Sequence, residues 1–345
     1  MIWLLLTACT PTVDVPDSTL ESGLSGQVVL TTTDFSTGAL SVLDLATGEV
    51  EEGVAPTSPD PLVTVSGGQV IQLNGYLHDT VRIYEPHDWS EPLGEYGVGQ
   101  AANPHDAEQI NGELWLSLYG RDALEIREPA SGVLLDTVDL STWADADGLP
   151  EAASLLMVES RLLVALQRFD RTRDWAPLPG HIVAIDTDTR QVVGDWAVGT
   201  SPRLSAHSEP GHAWVVTGSY ADGEPALDGA VTSLSLEDGL GDVVWDEGMR
   251  GERVDHWLDA GSDWAAMVDL GGTYAVRCFD GTSWRDGPES TRWTSDAILD
   301  GNGRVLLASR ELTGGGGVAA VRLEDCSDAG FAETALAPYQ MAPLQ

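Results

Sequence analysis

Three features of the sequence predict an all-β protein. Short segments alternate apolar and polar residues, as in "LWLSLYG" from Leu114 to Gly120, which is the pattern of half-buried strands. The 38 glycines and 18 prolines suit the many tight turns that join such strands. Similar units recur along the chain every 41 to 51 residues, close to the blade period of propeller folds. We therefore predict a seven-bladed β-propeller of four-stranded antiparallel blades.

The repeat consists of a strand, a polar tip, and a second strand that runs into an aspartate and a turn. The first copy is "GQVVLTTTDFSTGALSVLDLATGEV". Stacking seven such units around an axis buries both faces of each unit and leaves few exposed strand edges. We place the propeller at residues 25–345 and expect most tryptophans to pack between blades. Equivalent points in the seven copies are Val28, Val70, Leu114, Leu162, Ala213, Trp264 and Val305.

Charge excludes one class of partner. The chain has 17 basic residues, all of them arginine, against 55 acidic residues, which gives a net charge of −38. Such a surface repels phosphate backbones, so we expect no nucleic-acid partner. The remaining partners are a small molecule or another protein, and we expect the chain itself to be a monomer.

The N-terminus resembles an export signal of a particular kind. An apolar run ends in Leu6-Thr7-Ala8-Cys9, which resembles the lipobox of bacterial lipoproteins. We expect residues 1–8 to be a signal peptide, Cys9 to be acylated, and residues 9–24 to form a flexible tether. This predicts a bacterial cell-envelope protein, lipid-anchored on a periplasmic or outer-surface face. A simple secretory signal or a frayed apolar terminus is the alternative.

Two cysteines remain after Cys9. A disulfide between Cys278 and Cys326 is compatible with export, but the sequence does not show whether the two residues are close enough to pair.

The junctions between units also repeat. "GVAPTSPDPLVTV", "YGVGQAANPHDAEQI" and "WAVGTSPRLSAHS" each pass from an outer strand through a proline to the next inner strand. Here the sequence resembles YVTN-type propellers, a surface-layer-like and quinoprotein-like family, most closely in "AIDTDTRQVVGDWAVGTSP" from Ala184 to Pro202. The segment from Asp139 to Arg171 is similar to segments of exported propeller lipoproteins of this group. The resemblance implies the fold and does not imply an activity.

Junctions of this kind end near the central channel on one face of a propeller. The prolines suit the turns themselves, whereas the polar residues that follow point into a shared funnel. We take these residues as candidates for a ligand site: Asp60, His105, Asp106, Glu151 and Arg203. The alternative is that they bond channel waters and backbone groups.

A second candidate lies in the longest insertion, which follows "QRFDR" from Gln167 to Arg171. Arg168 and Asp170, with Phe169 and Trp175, could bind an anionic or aromatic ligand. The alternative is a loop paired within itself.

The sequence gives weak support for a metal. "DADG" contains Asp145 and Asp147, alternate carboxylates before a glycine as in a calcium loop, but the rest of the EF-hand pattern is missing. Calcium is therefore possible as a cofactor, a solvated loop is the alternative, and the histidine spacing does not predict zinc.

These observations predict a binding module that acts through its funnel and has no catalysis of its own. The first alternative is a metal- or quinone-dependent enzyme of the dehydrogenase or lactonase type that uses the funnel carboxylates. A structural envelope component is the third reading. The sequence does not decide how the ring is closed. Either the C-terminal segment "FAETALAPYQMAPLQ" supplies the outer strand of the seventh blade, or residues 25–35 supply it.

Overall fold

The structure, a computed structural model, describes residues 19–311 and 315–344. These residues form seven four-stranded antiparallel sheets arranged as the blades of a propeller ring, so the predicted fold class is confirmed. We number the blades 1 to 7 along the chain. The three strands that begin blade 1 and all the strands of blades 2 and 3 are β1 (Gln27–Thr33), β2 (Gly38–Asp44), β3 (Val50–Thr57), β4 (Pro61–Ser66), β5 (Gln69–Asn74), β6 (Thr80–Tyr84), β7 (Gly94–Gly97), β8 (Pro104–Ile110), β9 (Glu113–Leu118), β10 (Ala123–Arg127) and β11 (Leu134–Asp139).

Blades 4 and 5 each carry an additional two-stranded hairpin between their second and third strands. The strands of these blades are β12 (Ala152–Val158), β13 (Arg161–Leu166), β14 (Phe169–Asp170), β15 (Ala176–Pro177), β16 (Pro179–Asp186), β17 (Gln191–Thr200), β18 (Arg203–Ala206), β19 (His212–Val216), β20 (Tyr220–Ala221), β21 (Glu224–Pro225), β22 (Ala230–Ser235) and β23 (Gly239–Asp246). The hairpins are β14–β15 and β20–β21.

Blades 6 and 7 have no such insertion. Their strands, followed by the last strand of the described chain, are β24 (Arg253–Asp259), β25 (Trp264–Asp269), β26 (Tyr274–Phe279), β27 (Trp284–Ser290), β28 (Trp293–Leu299), β29 (Arg304–Arg310), β30 (Gly316–Arg322), β31 (Asp328–Thr334) and β32 (Pro338–Leu344). The helical elements of the described residues are one-turn segments at Ser141–Trp143, Arg171–Arg173 and Glu247–Arg250.

The C-terminal strand closes the ring. β32 pairs with β1 in the register Val29↔Ala342 and so completes blade 1 from the opposite end of the chain. β31, which includes the first four residues of "FAETALAPYQMAPLQ", is the outer strand of blade 7, as in the first predicted arrangement. The rest of that segment supplies the inner strand of blade 1, which neither arrangement predicted. The inner strands then contact one another in a closed cycle of β32, β4, β8, β12, β18, β24 and β28.

The core lies between neighbouring blades. Trp214 and Trp245 of blade 5 pack with Trp257 of blade 6 in one buried cluster, and Trp264 and Trp284 of blade 6 lie against it. Their rings meet edge to face or tilted, as aromatic pairs prefer. The packing role predicted for Trp214, Trp245, Trp264 and Trp284 is thus confirmed, and Trp257 shares it.

The described chain begins before the predicted start of the propeller. The backbone N–H of Leu20 donates to Phe331 O over 3.0 Å, and the Leu20 side chain is buried in the cluster between blades 7 and 1. Residues from Thr19 onward are therefore packed on blade 7 and are not part of a free tether. Cys9 and the predicted signal peptide lie outside the described residues.

Cys278 and Cys326 form a disulfide, with Cα atoms 5.7 Å apart. Cys278 lies in β26 of blade 6, and Cys326 lies in the turn between β30 and β31 of blade 7. The bond joins two neighbouring blades, which the sequence alone left undecided.

Candidate functional site

The candidate site lies on one face of the ring, which we call the funnel face. It is formed by the junctions that enter each inner strand and by the loops between the second and third strands of each blade. Both hairpin insertions stand on this face. All the site residues predicted from the sequence, except the anchor Cys9, belong to these segments or to the first three residues of an inner strand.

The inner strands are irregular where they enter the channel. In five blades the pairing register between the inner and second strands shifts by an inserted residue. Such bulges bend a strand and redirect its side chains. The residues at these bulges are His105, Ala153, Ser154, Asp255, Ser295 and Tyr339.

Polar side chains just inside the channel bond one inner strand to the next. Each accepts a backbone N–H of the following blade, so these acceptors form a belt around part of the channel. Asp106 therefore bonds a backbone group, which is the alternative role that the sequence left open for it. The bonds are Val63 N–H to Gln340 Oε1 (2.8 Å), Leu155 N–H to Asp106 Oδ2 (2.8 Å), Leu204 N–H to Ser154 Oγ (3.1 Å) and Met341 N–H to Asp296 Oδ2 (2.7 Å).

His105 and Asp106 have different surroundings although they are adjacent. Asp106 also accepts the N–H of Ala107 over 2.8 Å, while burial raises the pKa of its carboxyl to about 7. The His105 ring stacks on Tyr119 with centroids 4.8 Å apart, and burial lowers its pKa to about 4. His105 is therefore neutral near pH 7, whereas burial favours the protonated form of Asp106.

Glu151 is fully buried at the entry to blade 4. Its backbone has φ +49°, a strained conformation for a residue other than glycine. One carboxylate oxygen accepts the N–H of Phe169 over 3.0 Å, and the other accepts from Arg171 Nε over 3.2 Å. Burial, followed by the charge of Asp147, raises the pKa of Glu151 to about 7. Both oxygens are thus held by the protein itself.

Arg171 is the residue that sequence reasoning missed in this region. Its Nη2 donates to Tyr119 O over 3.0 Å, and its guanidinium lies 4.7 Å from the centre of the Trp175 ring. It thereby joins Glu151, Tyr119 and the inserted hairpin. The repeated arginines of "RFDRTR" were the available signal.

Arg168 and Asp170 are both paired within the insertion. Arg168 Nη1 donates to Pro179 O over 2.9 Å. Asp170 accepts from Thr172 and from Arg173, and bonds from these two side chains lower its pKa. This is the geometry of an internally paired loop.

Asp60 and Arg203 lie in separate junctions of blades 2 and 5. Burial raises the pKa of Asp60. Arg203 Nη2 donates to Val254 O over 3.0 Å, and burial together with the charge of Arg253 lowers its pKa to about 10. The five junction residues therefore share a face, but the hydrogen bonds of Asp106, Glu151 and Arg203 go to other segments and not to one another.

The aspartates of the proposed calcium loop bind backbone groups. Asp145 accepts the N–H of Asp147 over 3.0 Å, and Asp147 accepts those of Leu149 over 2.9 Å and Arg171 over 3.1 Å. Within residues 19–311 and 315–344, no group of three or more His, Cys, Asp or Glu side chains is arranged to hold a metal ion.

The exposed aromatic side chains of the described residues all stand on the funnel face. They are Phe35, Tyr76, Trp175 and Tyr220, with exposures of 53%, 66%, 51% and 43%. All four belong to loops between second and third strands, in blades 1, 2, 4 and 5. We call this set the aromatic rim. The sequence signal was a single aromatic in an otherwise polar loop, as in "TDFSTG".

Three members of the aromatic rim rest on an arginine. The guanidinium carbon of Arg310 lies 4.6 Å from the centre of the Phe35 ring. The corresponding distances are 4.7 Å from Arg171 to Trp175 and 4.0 Å from Arg253 to Tyr220. Phe35 and Trp175 also have positive φ angles, of 61° and 59°. Cation–π contacts help to hold these rings in place, and the surrounding structure offsets the cost of the strained backbone at Phe35 and Trp175.

Fold and face together define the chain as a seven-bladed β-propeller with an aromatic rim around its funnel. No protein-family model matches the sequence, and no curated protein matches it. None of the helices in the described part of the chain is both long and apolar enough to cross a membrane.

Solved structures share the fold at low sequence identity. A periplasmic gluconolactonase of Pseudomonas aeruginosa is 12% identical, with a TM-score of 0.68, and the match covers 93% of this chain and 99% of that one. A Lactobacillus plantarum protein is 14% identical, with a TM-score of 0.65 and coverage of 93% and 100%. A putative 6-phosphogluconolactonase of Bacteroides fragilis is 13% identical, with a TM-score of 0.64 and coverage of 93% and 98%. Identities this low establish the fold alone.

Proposed function

We propose that this chain is a binding module that recognises another protein through the aromatic rim of its funnel face, without catalysis of its own. The observation that carries the proposal is the placement of Phe35, Tyr76, Trp175 and Tyr220. Exposing an aromatic side chain to water is unfavourable, and all four of these exposed rings stand on one face. Such a grouping is typical of an interaction surface. Tryptophan, tyrosine and arginine are also the residues most often responsible for binding energy in protein interfaces.

The spacing of the rim favours a large partner. Its members belong to blades 1 and 2 on one side and to blades 4 and 5 on the other, with blade 3 between them. A partner that touches both sides must span the mouth of the funnel. A protein surface does this, whereas a small molecule would lie against one side.

Charge restricts the partner further. The chain carries −38, so an acidic partner would be repelled during approach. We therefore expect a neutral or basic contact surface. Because Arg310, Arg171 and Arg253 already hold three of the rings, binding costs little side-chain entropy.

The test compares two triple variants as baits in an extract of the source organism. Phe35→Ser, Trp175→Ser and Tyr220→Ser remove the rim. Leu134→Ser, Leu135→Ser and Val243→Ser remove exposed apolar side chains from outer strands instead. A protein retained by the wild type and the outer-strand variant but not by the rim variant is then purified, and its affinity is measured by calorimetry.

We expect the purified partner to bind the rim variant at least about a hundredfold more weakly, because hot-spot losses reach 2 kcal/mol or more each. Equal affinities for the two triple variants would contradict the proposal. A melting curve of each variant excludes loss of the fold.

A lactonase-type or other enzyme is the second candidate function. It is favoured by the raised pKa values of Asp106 and Glu151, each about 7, since general bases often have such values. Two structural neighbours are also named as lactonases. Against it, the oxygens of both carboxylates already accept protein N–H groups. Hydrolysis of gluconolactone by the metal-supplemented chain, lost in Glu151→Gln, would favour the enzyme.

We propose further that the chain is a YVTN-type propeller held in a bacterial cell envelope by a lipid on Cys9. The interblade disulfide Cys278–Cys326 supports an oxidising compartment. A lipid chain adds about 0.8 kcal/mol of membrane affinity per buried methylene. We expect labelled palmitate to be incorporated into the wild type and not into Cys9→Ser, with release of the variant from the membrane fraction. Membrane retention of an unlabelled Cys9→Ser chain would contradict the anchor.

A further inference from the structure

Blades 6 and 7 line a cavity of about 90 Å³. Most of its wall is apolar, and both blades contribute to it. Across blade 7, Leu307 pairs with Ala319, which pairs with Phe331, and all three side chains are partly exposed within the interface between the blades. The cavity separates this row from Met267, Ala275 and Pro288 of blade 6.

One end of the cavity is charged. Arg292, in the junction between the blades, is 8% exposed, and its guanidinium lies 4.9 Å from the centre of the Phe331 ring. Its Nη2 donates to Glu311 over 2.9 Å. Its Nε and Nη1 have no hydrogen-bond partner among the described residues. Thr294 and Ser309, which carry hydroxyl groups, line the same cavity.

A buried guanidinium with unused donors is unfavourable unless an acceptor reaches it. The apolar walls make water a poor occupant of the rest of the cavity, because buried water needs several polar partners. The space therefore suits a ligand with one oxygen-rich end and one hydrocarbon end.

Neighbouring acids decide the charge of that ligand. Glu289 and Asp328 also line the cavity, and Glu311 already pairs with Arg292. These carboxylates would repel a phosphate or a dicarboxylate more strongly than a single carboxylate. We propose that the cavity between blades 6 and 7 binds a short-chain monocarboxylate, with its carboxylate at Arg292 and its alkyl chain along Leu307, Ala319 and Phe331. This site is independent of the proposed protein-binding function.

The test is a calorimetric titration of the full chain with sodium butyrate. Arg292→Gln removes the charge, and Ala319→Leu fills the apolar part without changing any charge. Arg285→Gln is the matched control, because Arg285 lies on the outer strand of blade 6 and outside the cavity wall. n-Butanol serves as the uncharged ligand of similar length, and formate as the anion without a chain.

We expect saturable butyrate binding that weakens by about tenfold or more in Arg292→Gln and in Ala319→Leu, and changes less than about twofold in Arg285→Gln. n-Butanol and formate should each bind about tenfold more weakly than butyrate. If Arg292→Gln does not fold, Ala319→Leu and the two ligand controls still decide the matter. Absence of saturation, equal binding of formate and butyrate, or unchanged affinity in Ala319→Leu would overturn the proposal.

Discussion

The carboxylate of Asp106 in blade 3 accepts the backbone N–H of Leu155 in blade 4 over 2.8 Å. A side chain that was a ligand-site candidate in the sequence therefore joins two inner strands. Gln340, Ser154 and Asp296 make the same kind of bond elsewhere in the ring. The polar lining of the funnel is thus partly a consequence of closing the propeller, and its effect on stability can be measured.

Asp106→Asn should change how stability depends on pH. The pKa of Asp106 rises from 3.8 to about 7 on folding, so the folded state binds more protons than the unfolded state in that window. The stability from this group is complete below pH 3.8 and is lost as pH rises towards 7. As pH rises, the free energy of unfolding of the wild type should fall relative to that of Asp106→Asn by at most about 1.4 kcal/mol per pH unit.

Urea unfolding at several pH values between 4 and 8 measures this difference. Asp188→Asn, at an exposed position, serves as the control and should run parallel to the wild type. A wild-type curve parallel to that of Asp106→Asn would show that the carboxyl is not perturbed by folding.

Arg171 and Glu151 should be coupled in stability. Arg171→Met leaves the buried Glu151 carboxylate without its charged partner, while Trp175 loses the cation beneath its ring. We expect the free energy of unfolding at pH 8 to fall by about 2 kcal/mol. The loss is smaller than for a fully buried pair because Arg171 is partly exposed.

A double-mutant cycle with Glu151→Gln separates the interaction energy of the Arg171–Glu151 pair from the other effects of each substitution. The double variant should lose less than the sum of the two single losses, because a neutral glutamine does not need the guanidinium. Additive losses would mean that the ion pair contributes nothing and that Arg171 acts through Tyr119 and Trp175 alone.

Breaking the disulfide should loosen the contact between blades 6 and 7. The two cysteines are 48 residues apart in sequence, and closing a loop of that length stabilises a fold by about 4 kcal/mol in the chain-entropy model. Reduction should therefore lower the denaturation midpoint of the wild type. The double variant with Cys278→Ala and Cys326→Ala should have the lowered midpoint without reductant, and adding reductant should not change it. A change in that variant would show that the reductant acts through something other than this disulfide.

The sequence predicted the parts of the fold that repeat. The alternation around Leu114 and the recurring prolines of the junctions reflect burial and turn geometry, which act locally. Closure by Pro338–Leu344 and the pairing of Cys278 with Cys326 depend on residues far apart in the chain, so spacing alone did not determine them.

The candidate site was predicted less well than the fold. Asp60, His105, Glu151 and Arg203 do reach the funnel face, because each follows a junction. The hydrogen-bond partners of Glu151 and Arg203 come from other segments, Arg171 for Glu151 and Val254 for Arg203. The sequence therefore indicated where polar residues converge but not whether their bonds were already made. The aromatic rim was missed because a single exposed ring in a polar loop leaves no periodic pattern.

Removing β32 should open the ring. This strand supplies all the inner-strand pairing of blade 1, and its Gln340 and Met341 bond to Val63 of blade 2 and Asp296 of blade 7. A chain that ends at Ala337 leaves the inner edge of β1 unpaired and removes the Met341 N–H from Asp296 Oδ2, and unpaired edges are prone to association. We expect loss of a single cooperative thermal transition and a shift to oligomers in size-exclusion chromatography. A synthetic peptide of residues 338–345 added in trans should restore the transition, whereas a scrambled peptide of the same composition should not. A truncated chain that melts as the wild type does would show that the blades close without this strand.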